Sequence, residues 1–531
     1  MSLFYCQSLV KLKKVDLGYC KELVELPDFS MASNLEEVEL YCCSNLLRVH
    51  PSILSLHKLV RLNLSDCKAL TSLKSSIHLS SLRYLSLGHC SRLKEFSVTS
   101  ENMIDLNLAS TAINELPSSI GSLNKLESLL LDGCKSLKNL PSNLANMKSL
   151  RSLRIHGCIQ LDASNLHNLL DGLWSLQELL LEQCCNLFEL PENISMLSSL
   201  RLLLLKETDV RSLPASIKHL TKLEKLDLSG CRRLRFLPEL PSSIKEFYAY
   251  NCTSLETVEF TSEIAELVRE NKIRIRFQNC VNLSQYSLKA VGVNAHFILK
   301  KTAYQHLSTI KEGKMLDCPL DVIYPGSKVP AWFEPRTTQA SITIEIPFAQ
   351  TSKIWGFIFC VVVGRFPSND KNFIGCDCYL ESKESERGQM SLWSSIYAYE
   401  FISDHVCLWF DDRFCLQAHA ANDECTAYKP KLVFEFFAQT DNVSDRRGDI
   451  TIKECGVCPV NASEYCDFIK EMELKLMLQP RANEIGVRNS NGRIDGKGTF
   501  LPKKEFKKLT FPLLSTGNWK NGTQGLKDII S

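Results

Sequence analysis

The chain has 531 residues, 44% of them hydrophobic and 23% charged, with a formal charge of +2. That length holds two or three domains with sizeable cores, and the near-neutral balance predicts no general affinity for nucleic acid or an anionic membrane. No run reaches the roughly 18–20 apolar residues needed to span a bilayer, and the start, MSLFYCQSLVKLKK, lacks the ordered regions of a secretory signal.

From the first residues the chain is periodic. The stretch Leu126–Pro141 reads L-x-x-L-x-L-x-x-C-x-x-L-x-x-L-P, and ten other versions of it occur before residue 260. They begin at Leu12, Leu35, Leu59, Leu82, Met103, Leu126, Leu150, Leu176, Leu200, Leu223 and Ile244, with steps of 21 to 26 residues. This is the range of leucine-rich repeats. In each unit an L-x-L pair such as Leu129 and Leu131 alternates with period two, so the leucines point inward from a short strand and their neighbours point outward. Three residues later stand Cys20, Cys43, Cys67, Cys90, Cys134, Cys158, Cys184, Cys231 and Cys252, with Thr111 and Thr208 in the other two units. Small buryable side chains suit a backbone turning away from a strand. Apolar pairs such as Ile120/Leu123 and Ile194/Leu197 then recur on the convex side. One unit cannot bury its own edge, so stacking supplies the core, and the expected fold is an α/β leucine-rich-repeat solenoid of about eleven repeats. Repeat one begins close to Met1, which leaves its edge open and suggests a fragment or truncated product.

The concave face can be read directly. Between the strand leucines lie Asp16, Glu39, Asn63, Ser86, Asn107, Leu130, Arg154, Leu180, Leu204, Asp227 and Tyr248. Leu130, Leu180, Leu202 and Leu204 are therefore expected to face solvent, with Tyr248 and Tyr250 beyond them and Arg154 among them. An exposed apolar patch rimmed by charge marks a protein-binding site. Local strand propensity is the competing explanation for these leucines.

After Val258 the period is expected to stop. Residues 261–312 read as a helical connector, with one segment at 264–270 and a longer one from Ser284, which the step Asn279–Leu283 helps to cap. Residues 313–466 hold runs rich in β-branched and aromatic residues, such as Ile354–Val363 and Leu432–Ala438, each bounded by turn residues. Such runs indicate an all-β sandwich. Residues 467–531 are polar, then Gly-, Asn- and Lys-rich, and read as largely disordered.

Motifs for chemistry are weak. Neither Gly313-Lys314 nor Gly496-Lys497 completes a phosphate loop, and no H-E-x-x-H or G-x-S-x-G occurs. Cys455-x-x-Cys458, with Cys376 and Cys378 nearby, has zinc-ligand spacing but no second pair, so alternation of cysteines across a sheet is the better reading. The lysines at 503–508 read as a solvated tail rather than a nuclear-localisation patch. No cofactor, metal or catalytic residue is expected. The 23 cysteines suit a reducing cytosolic or nuclear setting.

The C-x-x-L-x-x-L-P repeats, the block Tyr324-Pro325-Gly326-Ser327-Lys328-Val329-Pro330-Ala331-Trp332-Phe333, and the phrases Ser403–Trp409 and Ile452–Val457 are distinctive together. Over roughly residues 1–466 they resemble the C-terminal half of plant TIR–nucleotide-binding–leucine-rich-repeat immune receptors, whose post-repeat jelly-roll/Ig-like domain is called C-JID. The resemblance implies a non-catalytic module that senses a pathogen effector, or a host target protein, through the concave face and β-domain loops. In such a receptor TIR and nucleotide-binding domains lie N-terminal; this sequence contains neither, so neither nucleotide binding nor NAD cleavage carries over. Pro325, Gly326, Pro330 and Trp332 are expected to be structural, setting a rigid turn and a buried aromatic. Alternatives are the substrate receptor of a ubiquitin ligase, which would need an adaptor helix before the repeats, and a truncated product without signalling of its own.

Overall fold

The computed structural model describes residues 9–75, 78–162, 166–184, 186–260, 274–309, 320–345, 354–365, 372–380, 392–414, 416–417, 431–440, 451–461, 464 and 467–468. Each repeat contributes one short strand to a parallel sheet: β1 (Lys14–Asp16), β2 (Glu37–Glu39), β3 (Arg61–Asn63), β4 (Tyr84–Ser86), β5 (Asp105–Asn107), β6 (Ser128–Leu130), β7 (Ser152–Arg154), β8 (Glu178–Leu180), β9 (Leu202–Leu204), β10 (Lys225–Asp227), β11 (Glu246–Tyr248) and β12 (Arg274–Arg276). They pair in sequence without register slips, which aligns the central residues Val15, Leu129, Leu203 and Phe247 in one row. That row is the inner wall of the core; from Val38 to Phe247 it is buried.

Two local devices repeat. Just before the ladder cysteine, the backbone takes a positive φ at Tyr19, Cys42, Asp66, His89, Ser110, Gly133, Gly157, Gln183, Glu207, Gly230, Asn251 and Asn279. From Cys43 onward, each ladder thiol then donates to a carbonyl of the preceding repeat, for example Cys134 Sγ to Leu108 O at 3.1 Å and Cys231 Sγ to Leu205 O at 3.0 Å. Thr111 and Thr208 bond locally instead, donating within their own repeats to Leu108 O and Leu205 O at 2.8 Å. On the convex side, extended prolines such as Pro117 and Pro191 lead into one-turn 3₁₀ segments that bury Ile120 and Ile194.

The period does not end after Val258. Ile275, Phe277, Cys280 and Leu283 form a twelfth repeat, and β12 pairs in parallel with β11. Cys280 donates to Ala249 O at 2.9 Å, like the other ladder thiols. The step from Phe247 to Ile275 is longer than any before it, and arginines flank the strand, which hid the unit. The segment Asn279–Leu283 is thus this repeat's turn. Ser284 does cap the following helix, α1 (Gln285–Thr309), by accepting from Ser287 N–H at 3.2 Å. The expected helix at 264–270 lies outside the described residues, and so does the tail beyond Phe468. Phe468 itself is buried against Phe297 and Tyr304 of α1.

The β-rich part forms two antiparallel sheets. The first contains β13 (Leu320–Pro325), β14 (Arg336–Thr337), β16 (Ile354–Val363), β19 (His405–Phe410) and β21 (Ile452–Asn461); the second contains β15 (Ser341–Glu345), β17 (Asn372–Leu380), β18 (Leu392–Ala398) and β20 (Lys431–Thr440). Strand alternation sorts the side chains. Ile358, Cys360 and Val362 join the core that runs from the repeats under α1, while Phe357, Phe359 and Val361 pack between the two sheets with Phe434 and Trp409. The same alternation sends Cys455 into one core and Cys458 into the other, so they cannot share a metal. β13 pairs with β12 in parallel on one edge and with β19 antiparallel on the other, so the concave sheet continues unbroken into the β region. In the Tyr324–Phe333 block, Gly326 N–H donates to Asp404 O at 3.0 Å, and a Cβ there would sit 2.8 Å from Val406. Trp332 is only partly buried, stacked on His296 at 4.2 Å; the fully buried aromatic is Phe333. Among the described residues no helix is long and apolar enough to cross a membrane.

Candidate protein-binding face

Register places the candidate residues in lateral rows across the sheet. Leu130, Arg154, Leu180, Leu204, Asp227, Tyr248 and Arg276 are successive neighbours in one row, and Leu202 stands beside Glu178 and Lys225 in the next. Arg154 is exposed, and Leu130, Leu202, Leu204 and Tyr250 are half-buried. Leu180 and Tyr248, expected to face solvent, are each only 7% exposed. Strands about 4.8 Å apart on a concave surface press neighbouring side chains together, and Leu180 is hemmed in by Arg154 and Leu204. It backs the patch rather than presenting it.

The charges beside these leucines are neutralised in place. Arg154 Nε lies 3.1 Å from Asp132 Oδ2, and His156 Nδ1 lies 3.2 Å from Glu182 Oε2. Lys206 bridges Glu182 at 3.6 Å and Asp227 at 3.3 Å. Burial would lower the Lys206 pKa, but these two carboxylates outweigh it and hold the amine above its ordinary value. The result is an apolar strip on β6, β8 and β9 edged by closed ion pairs.

Beyond β10 the face changes character. Tyr248 and Tyr250 lie 5.5 Å apart, and Tyr250 is 6.0 Å from Tyr399 of the β region. Arg276, fully buried, donates from Nε and Nη2 to both oxygens of Asp321 at 2.6 and 2.8 Å. Its Nη1 reaches Tyr250 Oη at 3.2 Å and Tyr397 O at 2.9 Å. Gln278 and Asn279 donate to Glu400 O, each at 2.9 Å. Asn279 N–H donates to His405 Nε2 at 2.9 Å. The two tyrosines therefore belong to the seam between the repeats and the β region. The seam residues Arg276, Asp321 and Tyr397 escaped sequence reasoning; the R-I-R around Ile275, in register with the earlier strands, was the available signal.

Residues 78–169 match the leucine-rich-repeat model of disease resistance protein RPS4B-like proteins, and residues 324–466 match the C-JID domain. Disease resistance protein RPS4B of Arabidopsis thaliana is 26% identical over 471 residues, covering 84% of this chain and 36% of that protein. Disease resistance protein LAZ5, also of Arabidopsis thaliana, is 32% identical over 390 residues, covering 71% and 32%. The chain is homologous to the leucine-rich-repeat and post-repeat region of plant disease resistance proteins. TMV resistance protein N of Nicotiana glutinosa aligns over 66% of this chain at 30% identity. The chain spans about a third of the length of these curated relatives, 32% to 36%. The repeat match spans β4 to β7, and the two facing sheets coincide with the C-JID match.

Proposed function

We propose that this chain is the non-catalytic recognition part of a plant intracellular immune receptor, sensing a pathogen effector or its host target protein. The observation that carries the reading is the apolar strip of Leu130, Leu202 and Leu204, backed by Leu180 and edged by Arg154. Loops of the β region would supplement it. Facing antiparallel sheets over residues 320–461 support a jelly-roll/Ig-like C-JID unit, following a solenoid that runs to Leu283. A cytosolic or nuclear location is supported by the cysteine ladder, because only a reduced thiol can donate the hydrogen bonds that its rungs from Cys43 to Cys280 make. TIR and nucleotide-binding domains would precede this region in the full receptor.

The test is a split-luciferase screen of secreted pathogen proteins against this chain, repeated with Leu130→Glu/Leu204→Glu. Both side chains are half-buried at the surface, so thermal stability should change little while bound partners are lost. A set of interactors that bind both forms equally would remove the concave strip from the reading.

A further inference from the structure

A different surface lies on the lateral side of repeats eight to ten. Phe188, Arg211 and Arg235 are successive rungs there, since Arg211 N–H donates to Phe188 O and Arg235 N–H to Arg211 O, both at 3.0 Å. Phe188 is 41% exposed and is the one phenylalanine among the exposed large apolar side chains of the described residues. Two guanidiniums lie over it: Arg211 at 5.4 Å and Arg233 at 6.0 Å from the ring centroid. Arg232 and Arg235 are exposed beside them. Several neighbouring cations on the repeats are matched by carboxylates, as in Arg201–Glu224 and Lys225–Glu246. In this cluster Asp209 pairs Arg233 at 3.1 Å and Glu256 meets Arg235 only at 3.8 Å. Among the described residues, Arg211 and Arg232 make no ion pair.

We infer that Phe188, Arg211, Arg232, Arg233 and Arg235 form a docking surface for an acidic protein segment carrying an apolar side chain. Stacking on the ring orders the planar guanidiniums in advance, and each offers a fork of donors that fits a carboxylate. The half-exposed ring supplies the apolar contact. A nucleic acid fits less well. Glu256 follows Arg235 in the row, its N–H donating to Arg235 O at 2.9 Å, so the basic track stops there and does not continue for an extended polyanion. The surface is separate from the concave strip, and either can fail without the other.

The experiment uses the whole chain and fluorescence anisotropy with three labelled probes: a peptide alternating Glu and Phe, the same peptide with Lys for every Glu, and a single-stranded oligonucleotide. The Glu/Phe peptide should bind, weaken as salt rises, and lose about tenfold or more in affinity to Arg211→Glu/Arg232→Glu at unchanged melting temperature. Arg211→Gln/Arg232→Gln, which removes the charges without reversing them, should show a smaller loss in the same direction. Absence of peptide binding, equal binding by the variants, or equal binding of the Lys peptide would overturn the inference. An oligonucleotide bound as tightly as the acidic peptide would overturn it too, marking a general polyanion surface.

Discussion

Asp321→Ala tests whether the repeats and the β region stand or fall together. Asp321 and Arg276 have side-chain exposures of 1% and 0%, and two charge-assisted bonds of 2.6 and 2.8 Å join them. Arg274 Nε is 3.4 Å from the same carboxylate, but that side chain is 18% exposed and can turn to water. Arg276 cannot. After the substitution its charge would remain buried with only the Tyr250 hydroxyl and the Tyr397 carbonyl as acceptors. Breaking one side of such a pair costs about 3–5 kcal/mol, whereas replacing both sides by apolar groups is often near neutral. Arg276→Met/Asp321→Leu should therefore be much less destabilised than Asp321→Ala. Urea unfolding would be followed by far-ultraviolet circular dichroism for the repeats, and by fluorescence, to which Trp409 between the two sheets contributes. Because β12 and β13 are hydrogen-bonded neighbours, both signals should shift to lower urea together. A loss under about 1 kcal/mol, or a shift in fluorescence alone, would refute a seam built on this pair.

Two titrations follow from burial. His405 is buried and stacked on Phe401 at 4.2 Å; its Nε2 accepts from Asn279 N–H, and burial pushes its pKa from 6.5 down to about 4. The unfolded chain takes up that proton first, so His405 contributes about 3 kcal/mol above pH 6.5 that drains away as pH falls through 4; His405→Phe should flatten this acid slope in urea titrations, and an unchanged slope would assign it elsewhere. Burial raises the Cys90 and Cys231 thiols from 9.0 to about 12, so the unfolded chain ionises first and their contribution, complete below pH 9, is lost toward pH 12. Cys90→Ser/Cys231→Ser should lessen the alkaline loss of stability measured from pH 9 to 11, and an equal loss in the variant would count against the ladder.

What was legible in the sequence was whatever repeats. Leu129 and Cys134 declare their places because each has siblings at the same offset, and period two leaves one inward and one outward choice. The β-rich segments were legible as strands for another reason, since Ile354–Val363 has the composition of a doubly covered strand. Two things were not legible. Repeat twelve was hidden because its spacing and flanking arginines depart from its siblings, and its meaning depends on Asp321, well downstream in the chain. Exposure was the other: the alternation of Leu179 and Leu180 sets which faces the core, but whether the outward residue meets water depends on Arg154 and Leu204, which only register brings alongside.

That dependence narrows the candidate face. A stacked array must cover the open edge of its last strand, and here β13 does so by extending the same sheet. The lateral rows therefore do not end at solvent; they run into Asp321 and Ile323. Outward positions near that end meet protein rather than a partner, which is why Tyr248 is buried and Tyr250 accepts from Arg276. At the other end, β1 to β5 offer Asp16, Glu39, Asn63, Ser86 and Asn107, with no apolar side chain in that row. The outward leucines are thus confined to β6 through β9, where Leu130, Leu202 and Leu204 stand beside charges such as Arg154 and Lys225 that their neighbours already match. A partner there gains by covering carbon rather than by displacing ion pairs, so its affinity should depend little on salt. The lateral arginines predict the opposite dependence, and salt alone can tell the two surfaces apart.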